Sequence, residues 1–247
     1  QQITELALYT QNMESLRAAY ERLAIGGLDE PSTPKLALRY SERLVDLLEN
    51  EFEDLVAVRS ALEDACEAQG DTIQRLERLE TCLTSLEDWH GLADVKTRQI
   101  TVSGDGDLKV EQLIALAELA EQKLQDQELA VSSWRSVESV RPLDPIATEP
   151  LIRLLTELSD WSALASLYER LYEAAEADQR PLGLTLVALL QKTDGFERAL
   201  EILTSLSELT DHTGLADALV DYLSVGQDYG VDESLLLAAA SLLAADR

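Results

Sequence analysis

Residues 79–89 read LETCLTSLEDW and residues 151–161 read LIRLLTELSDW. In both, Leu-x-x-apolar-Leu is followed by an Asp-Trp pair, with the tryptophan ten residues after the first leucine. The spacing recurs from Leu186, Leu189 and Leu190 to Gly195-Phe196, and from Leu219, Tyr222 and Leu223 to Asp228-Tyr229. The aromatics are 72, 35 and 33 residues apart, so the first interval holds one further copy. It occupies residues 113–145, through Leu116, Ala120, Leu124, Asp126 to Ala130, Trp134 and the stop Arg141-Pro142-Leu143-Asp144-Pro145. A fainter copy ends at Phe52, with Leu55, Val58, Leu62 and Ala65 after it.

Each copy contains an apolar stripe at i, i+3, i+4 and i+7, a polar break, and a second stripe opened by an aromatic. That is the pattern of two helices folded into a hairpin. The second stripes run Trp89, Leu92, Val95; Trp161, Leu164, Leu167, Leu171; and Phe196, Ala199, Ile202, Leu203, Leu206. The break residues are candidate caps: Asp160 and Asp194 at helix starts, Glu197 completing a box, Asp144 ahead of Pro145, and Asp71 with Gln74. No alternating β-branched segment of strand length occurs, so the expected fold is all-α. A hairpin with one apolar face cannot bury it alone, and copies at this period are expected to stack into a superhelix.

The period, the run from Asp126 to Ala130 with Trp134 and Pro142, and the Asp-Trp, Gly-Phe and Asp-Tyr junctions resemble tetratricopeptide repeat proteins over about residues 36–245. Glu80, Ile152 and Val187 depart from that family, standing where it usually carries a small residue. The resemblance implies an all-α, right-handed α-α superhelix, a solenoid of stacked hairpins whose first helices line an inner groove. Carried over by register, the outward positions of those helices are Gln74, Glu77, Thr81, Glu118, Glu121, Gln122, Glu149, Arg153, Glu157, Gln191 and Lys192. A protein or peptide partner is therefore expected there, and the acidity of the set favours a basic one. Members that clamp a C-terminal carboxylate do so with Lys, Arg and Asn, which this set supplies sparsely.

Ahead of the array, residues 1–25 are expected to form an amphipathic helix through Ile3, Leu6, Met13, Leu16, Tyr20 and Leu23, half of an incomplete repeat. Residues 26–34, rich in Gly and Pro, read as a linker, and residues 35–247 as about six repeats. The Ser103-to-Asp107 loop reads as a division between two units with Asp107 as N-cap, not as a domain boundary.

Across 247 residues, 47 Asp and Glu face 20 Lys and Arg, a formal net charge of −27. Nucleic acid and anionic bilayers are poor partners for such a chain, because phosphate binding needs clustered cations. No window carries the run of about 18 apolar residues that a membrane span requires. The sequence opens on Gln1 rather than Met, which points to residues upstream of it.

Chemistry-bearing residues are few. His90 and His212 stand alone, without ligands at metal spacing or a nucleophile signature, so no catalysis, metal or cofactor is expected. Cys66 and Cys82 read as small core residues. Across the turn near Gly70 they would lie about 12 Å out of level, beyond the ~7 Å a disulfide tolerates. Two reduced thiols favour the cytoplasm. Trp89, Trp134 and Trp161 are expected in the core. Residues 234–245 are apolar on all sides, where a terminal repeat should be polar, so a second copy or further repeats are expected to pack there. The leading function is a protein-binding scaffold or adaptor; the alternatives are a self-associating assembly unit and a regulatory segment of a larger protein.

Overall fold

The computed structural model describes residues 13–24, 34–104, 106–175 and 179–207, together with Ala218 and Tyr222. Among them there are helices and turns and no strand. In chain order the helices are α1 (Met13–Ala24), α2 (Pro34–Leu47), α3 (Leu55–Gln69), α4 (Ile73–Ser85), α5 (Trp89–Val102), α6 (Asp107–Leu119), α7 (Gln127–Val140), α8 (Pro145–Glu157), α9 (Trp161–Ala174), α10 (Gln179–Lys192) and α11 (Phe196–Ser207). The chain forms two compact units, residues 1–137 and 138–247, divided near the end of α7. In the first, α1 to α6 each pack on the next helix in sequence; in the second, α8 to α11 do the same. The all-helical hairpin repeat expected from the spacing is what the described residues form. The expected helix at 234–245, His212 and the repeat around Asp228-Tyr229 lie outside the described residues.

Five hairpin turns, between α2 and α3, α4 and α5, α6 and α7, α8 and α9, and α10 and α11, share one device. Each places a non-glycine residue in the left-handed region: Glu53 (φ 50°), Glu87 (55°), Gln125 (54°), Ser159 (55°) and Asp194 (57°). The next residue turns its N–H back onto the preceding helix, as Asp88 does to the Leu83 carbonyl (3.0 Å), Asp160 to Leu155 (2.9 Å) and Gly195 to Leu190 (2.8 Å). This six-residue closure satisfies a carbonyl that the helix end leaves unpaired. Two turns take one residue more, Asp54 to Leu48 and Asp126 to Ala120, because a π-helical turn (Leu48–Phe52 and Ala120–Leu124) precedes them.

The same position then starts the second helix. Asp54, Asp88, Asp126 and Asp160 accept the backbone N–H groups of Ala57 (3.0 Å), Gly91 (3.0 Å), Leu129 (2.9 Å) and Ala163 (3.1 Å). Asp144 caps α8 ahead of Pro145 as expected, accepting from Ile146 N–H at 3.0 Å.

Three expected caps are corrected. Thr72, extended at φ −130°, takes the N–H of Arg75 and caps α4, which frees Asp71 for Arg98. Asp107 lies inside the first turn of α6, because Gly106 at φ 145° occupies the capping position. Asp194 is the left-handed turn residue, and the Gly195 carbonyl receives the first bond of α11 from Ala199 N–H at 3.0 Å. A non-glycine residue in this region costs about 1 kcal/mol or more, partly offset by the entropy that glycine loses on folding. Glu87→Gly and Ser159→Gly are therefore each expected to stabilise the protein by about 0.5–1 kcal/mol in urea unfolding.

Behind the turns lie the apolar faces. In the first unit one core joins Leu16 and Tyr20 of α1, Leu44 and Val45 of α2, Val58 and Leu62 of α3, Leu76, Leu79 and Leu83 of α4, Leu92 and Val95 of α5, and Leu116 of α6. In the second, Leu151, Leu154 and Leu155 of α8, Leu164 and Leu167 of α9, Leu186 and Leu190 of α10, and Ile202, Leu203 and Leu206 of α11 are buried. Leu171, expected in this stripe, is only half-buried. Cys66 and Cys82 are buried free thiols, with Cys82 Sγ donating to the Leu55 carbonyl at 3.0 Å. Burial pushes both thiols up, which keeps them neutral and unreactive.

Arginines pair across neighbouring hairpins and, at Arg98, between the start and end of one hairpin. Arg78 of α4 reaches Asp46 (2.9 Å) and Glu49 (2.7 Å) at the end of the first helix of the preceding hairpin. Arg59 of α3 pairs with Asp88 (2.6 Å), Arg98 of α5 with Asp71, Arg170 of α9 with Glu138, and Arg198 of α11 with Glu169 (2.8 Å). Such part-exposed pairs contribute little net stability each, and they join residues 27 to 32 apart, somewhat less than the 33–35 residues of one repeat.

The Arg98 hydrogen bond and charge hold the Asp71 carboxyl below the usual range, and the Gly91 N–H followed by Arg59 does the same for Asp88. A depressed carboxyl stabilises the fold above its unfolded value, near pH ~4, and the contribution is lost as pH falls through the lower folded value. Acidification from neutrality first relieves repulsion among the excess carboxylates. Thermal midpoints are thus expected to rise from pH 7 towards about pH 4.5 and to fall below about pH 4, with Asp71→Asn flattening the acid limb.

Candidate interaction faces

The eleven positions carried over by register fall helix by helix. On α4, Gln74, Glu77 and Thr81 are exposed on one face, and the Thr81 hydroxyl donates to the Glu77 carbonyl at 3.0 Å. Glu118 and Gln122, at the end of α6 and in the π turn, are exposed. Glu121 between them is half-buried and accepts the Trp134 indole N–H at 2.7 Å, which gives it a packing role. In the second unit, Glu149, Arg153 and Glu157 share an exposed face of α8 at four-residue steps, with Arg153 and Glu157 paired at 3.6 Å. On α10, Gln191 is half-buried and Lys192 is exposed. The positions form one set within each unit.

The tryptophans divide. Trp134 is buried as expected, whereas Trp89 and Trp161 are half-buried. Each of these two opens a second helix and receives a lysine from the first helix of the following repeat. Lys123 Nζ lies 4.6 Å from the Trp89 ring centre and Lys192 Nζ lies 3.7 Å from that of Trp161. A ring face covered by an ammonium group gains electrostatic attraction and needs no further apolar cover.

Spacing alone missed a buried polar node in the first unit. Lys96 of α5, with a side chain 10% exposed, donates from Nζ to Glu80 Oε1 (2.6 Å) and to Gln112 Oε1 (2.9 Å). Gln99 Nε2 donates to Glu80 Oε2 at 2.8 Å, while Gln99 Oε1 is buried without a partner. The departure at Glu80 is thereby explained: a carboxylate there is the anchor that neutralises a lysine held between α4 and α6.

A second missed feature is a groove of about 600 Å³ enclosed by α1, α2 and α3. Its sequence signal is the stripe Ala57, Ala61, Ala65 and Ala68 on α3, small residues at near-helical steps.

Among the described residues no group of three or more His, Cys, Asp or Glu is arranged to hold a metal ion, and His90 is exposed. No described helix is long and apolar enough to cross a membrane. No family model and no curated protein matches the sequence. Among solved structures, the chain is similar to a tetratricopeptide repeat protein from Parabacteroides merdae, at 16% identity, with 98% of this chain and 92% of that chain covered and a TM-score of 0.37.

Proposed function

We propose that the chain is a non-enzymatic protein-interaction scaffold that takes a lysine- or arginine-bearing segment on the acidic faces of its first helices. The observation that carries this reading is the charge state of those faces. Of the eleven positions, Glu77, Glu118, Glu121, Glu149 and Glu157 are acids and only Arg153 and Lys192 are bases. Both bases are engaged within the chain, Arg153 with Glu157 and Lys192 on the Trp161 ring. With Glu157 held by Arg153 and Glu121 by Trp134, the charge the faces offer a partner is the carboxylates of Glu77, Glu118 and Glu149, on helices whose cores hold them in place. An excess of negative charge over the whole chain adds long-range attraction for a cationic partner and speeds its encounter.

The test is binding of a fluorescein-labelled lysine-rich peptide, followed by anisotropy at low and raised salt. The reading expects binding that weakens as salt rises, and a further loss of about tenfold on Glu77→Lys with Glu118→Lys. Affinity that ignores both salt and charge reversal would remove the basis for a basic partner.

A further inference from the structure

We propose that the groove between α1, α2 and α3 is a docking site for an amphipathic helix of a partner protein, one whose apolar face is flanked by lysine or arginine. The inference rests on the scaffold reading and assigns it a second surface, lined by α1, α2 and α3 and containing none of the eleven first-helix positions.

The shape of the groove suits a helix. Leu44 and Leu48 form an apolar floor. The α3 wall presents Ala57, Ala61, Ala65 and Ala68, none of which extends beyond Cβ, so an incoming backbone can approach closely. Val56, one turn before the lining residue Ser60, is 66% exposed and continues the apolar surface along α3.

Charge selects the occupant. The α1 wall contributes Arg17 and Glu21, but Arg17 is committed to Glu21 at 2.9 Å and Asp54 at 3.6 Å and lies over the Phe52 ring. On the α3 side Asp64 and Glu67 are exposed, and neither has an ion-pair partner among the described residues. Among the described lining residues, Glu21, Asp64 and Glu67 thus face one cation, Arg17, which is already taken. The neighbouring stretches of this chain offer no cation: residues 1–12 and 25–33 contain neither Lys nor Arg, and the second carries Asp29 and Glu30. A second copy brings a net charge of −27 against the same sign. A cationic helix from a different protein is the complementary occupant.

The full chain is titrated with a labelled amphipathic peptide of about 18 residues, with leucine at i, i+3, i+4 and i+7 and lysine beside them, and with a twin carrying glutamate for lysine. The lysine peptide is expected to bind and the glutamate twin to fail. Asp64→Lys with Glu67→Lys, at exposed positions that leave the core intact, is expected to weaken binding about tenfold or more, and Ala61→Leu to do so by filling the groove. Glu77→Lys with Glu118→Lys should leave this affinity within about twofold. Loss with the first-helix reversals alone would overturn the groove and keep the scaffold reading. No binding of the amphipathic lysine peptide by any form would overturn the groove, whereas the scaffold reading stands or falls on the lysine-rich peptide and the first-helix reversals. A dimer by light scattering that Asp64→Lys dissolves would replace the partner helix with a second copy.

Discussion

Leu79→Ala is expected to cost the first unit about 2–5 kcal/mol, read as a fall in the urea midpoint of helical circular dichroism. Leu79 is fully buried on the inward face of α4, which packs on both α3 and α5. Truncation removes three carbons from the core and leaves a space that its helical neighbours fill only partly. Thr81, two residues along the same helix, is exposed, and Thr81→Ala is expected to stay within about 0.5 kcal/mol. Equal effects at the two positions would mean that the leucine stripe is not the core-facing side of the repeat. Because neighbouring hairpins support one another in such arrays, the loss at Leu79 is also expected to broaden the transition.

Lys96→Met is expected to cost about 1–3 kcal/mol in the same unit. The substitution leaves the Glu80 carboxylate without its cation and the Gln112 side-chain carbonyl without its donor. The figure lies below that for a fully buried pair because the Glu80 side chain is 31% exposed and water screens part of the charge. Adding Glu80→Leu removes the stranded carboxylate, and the double variant is expected to recover part of the loss. A double variant weaker than Lys96→Met alone would assign Glu80 its main role through Gln99 rather than Lys96.

The hairpins were legible because their signals are local. An Asp-Trp junction ten residues after a leucine combines a cap, an aromatic and a fixed helical length, and all three act within one turn of the chain. The cap at Asp71-Thr72 was not legible, since either side chain can cap α4, and Arg98, 27 residues on, decides between them by taking Asp71. Sequence separation also hid the Lys96 node: Glu80 stood out as a departure, but its partner lies 16 residues away on the next helix. The π turns before Asp54 and Asp126 add one residue without disturbing the apolar spacing on either side. Of the four α3 alanines only Ala65 falls in the apolar stripe legible in the sequence, whereas three helices together make all four the wall of a groove. On the first-helix faces, exposure follows the register at most positions; Glu121 differs because Trp134 reaches it from α7.

The most direct test of a basic partner on an acidic scaffold is carbodiimide cross-linking of a lysine-rich peptide to the full chain, with the joined carboxylates mapped by mass spectrometry. Cross-links are expected to concentrate at Glu77, Glu118 and Glu149, and at Asp64 and Glu67 when the peptide is an amphipathic helix. Cross-links spread evenly over other exposed acids such as Glu87, Glu128 and Glu201, or no capture at low salt, would contradict it.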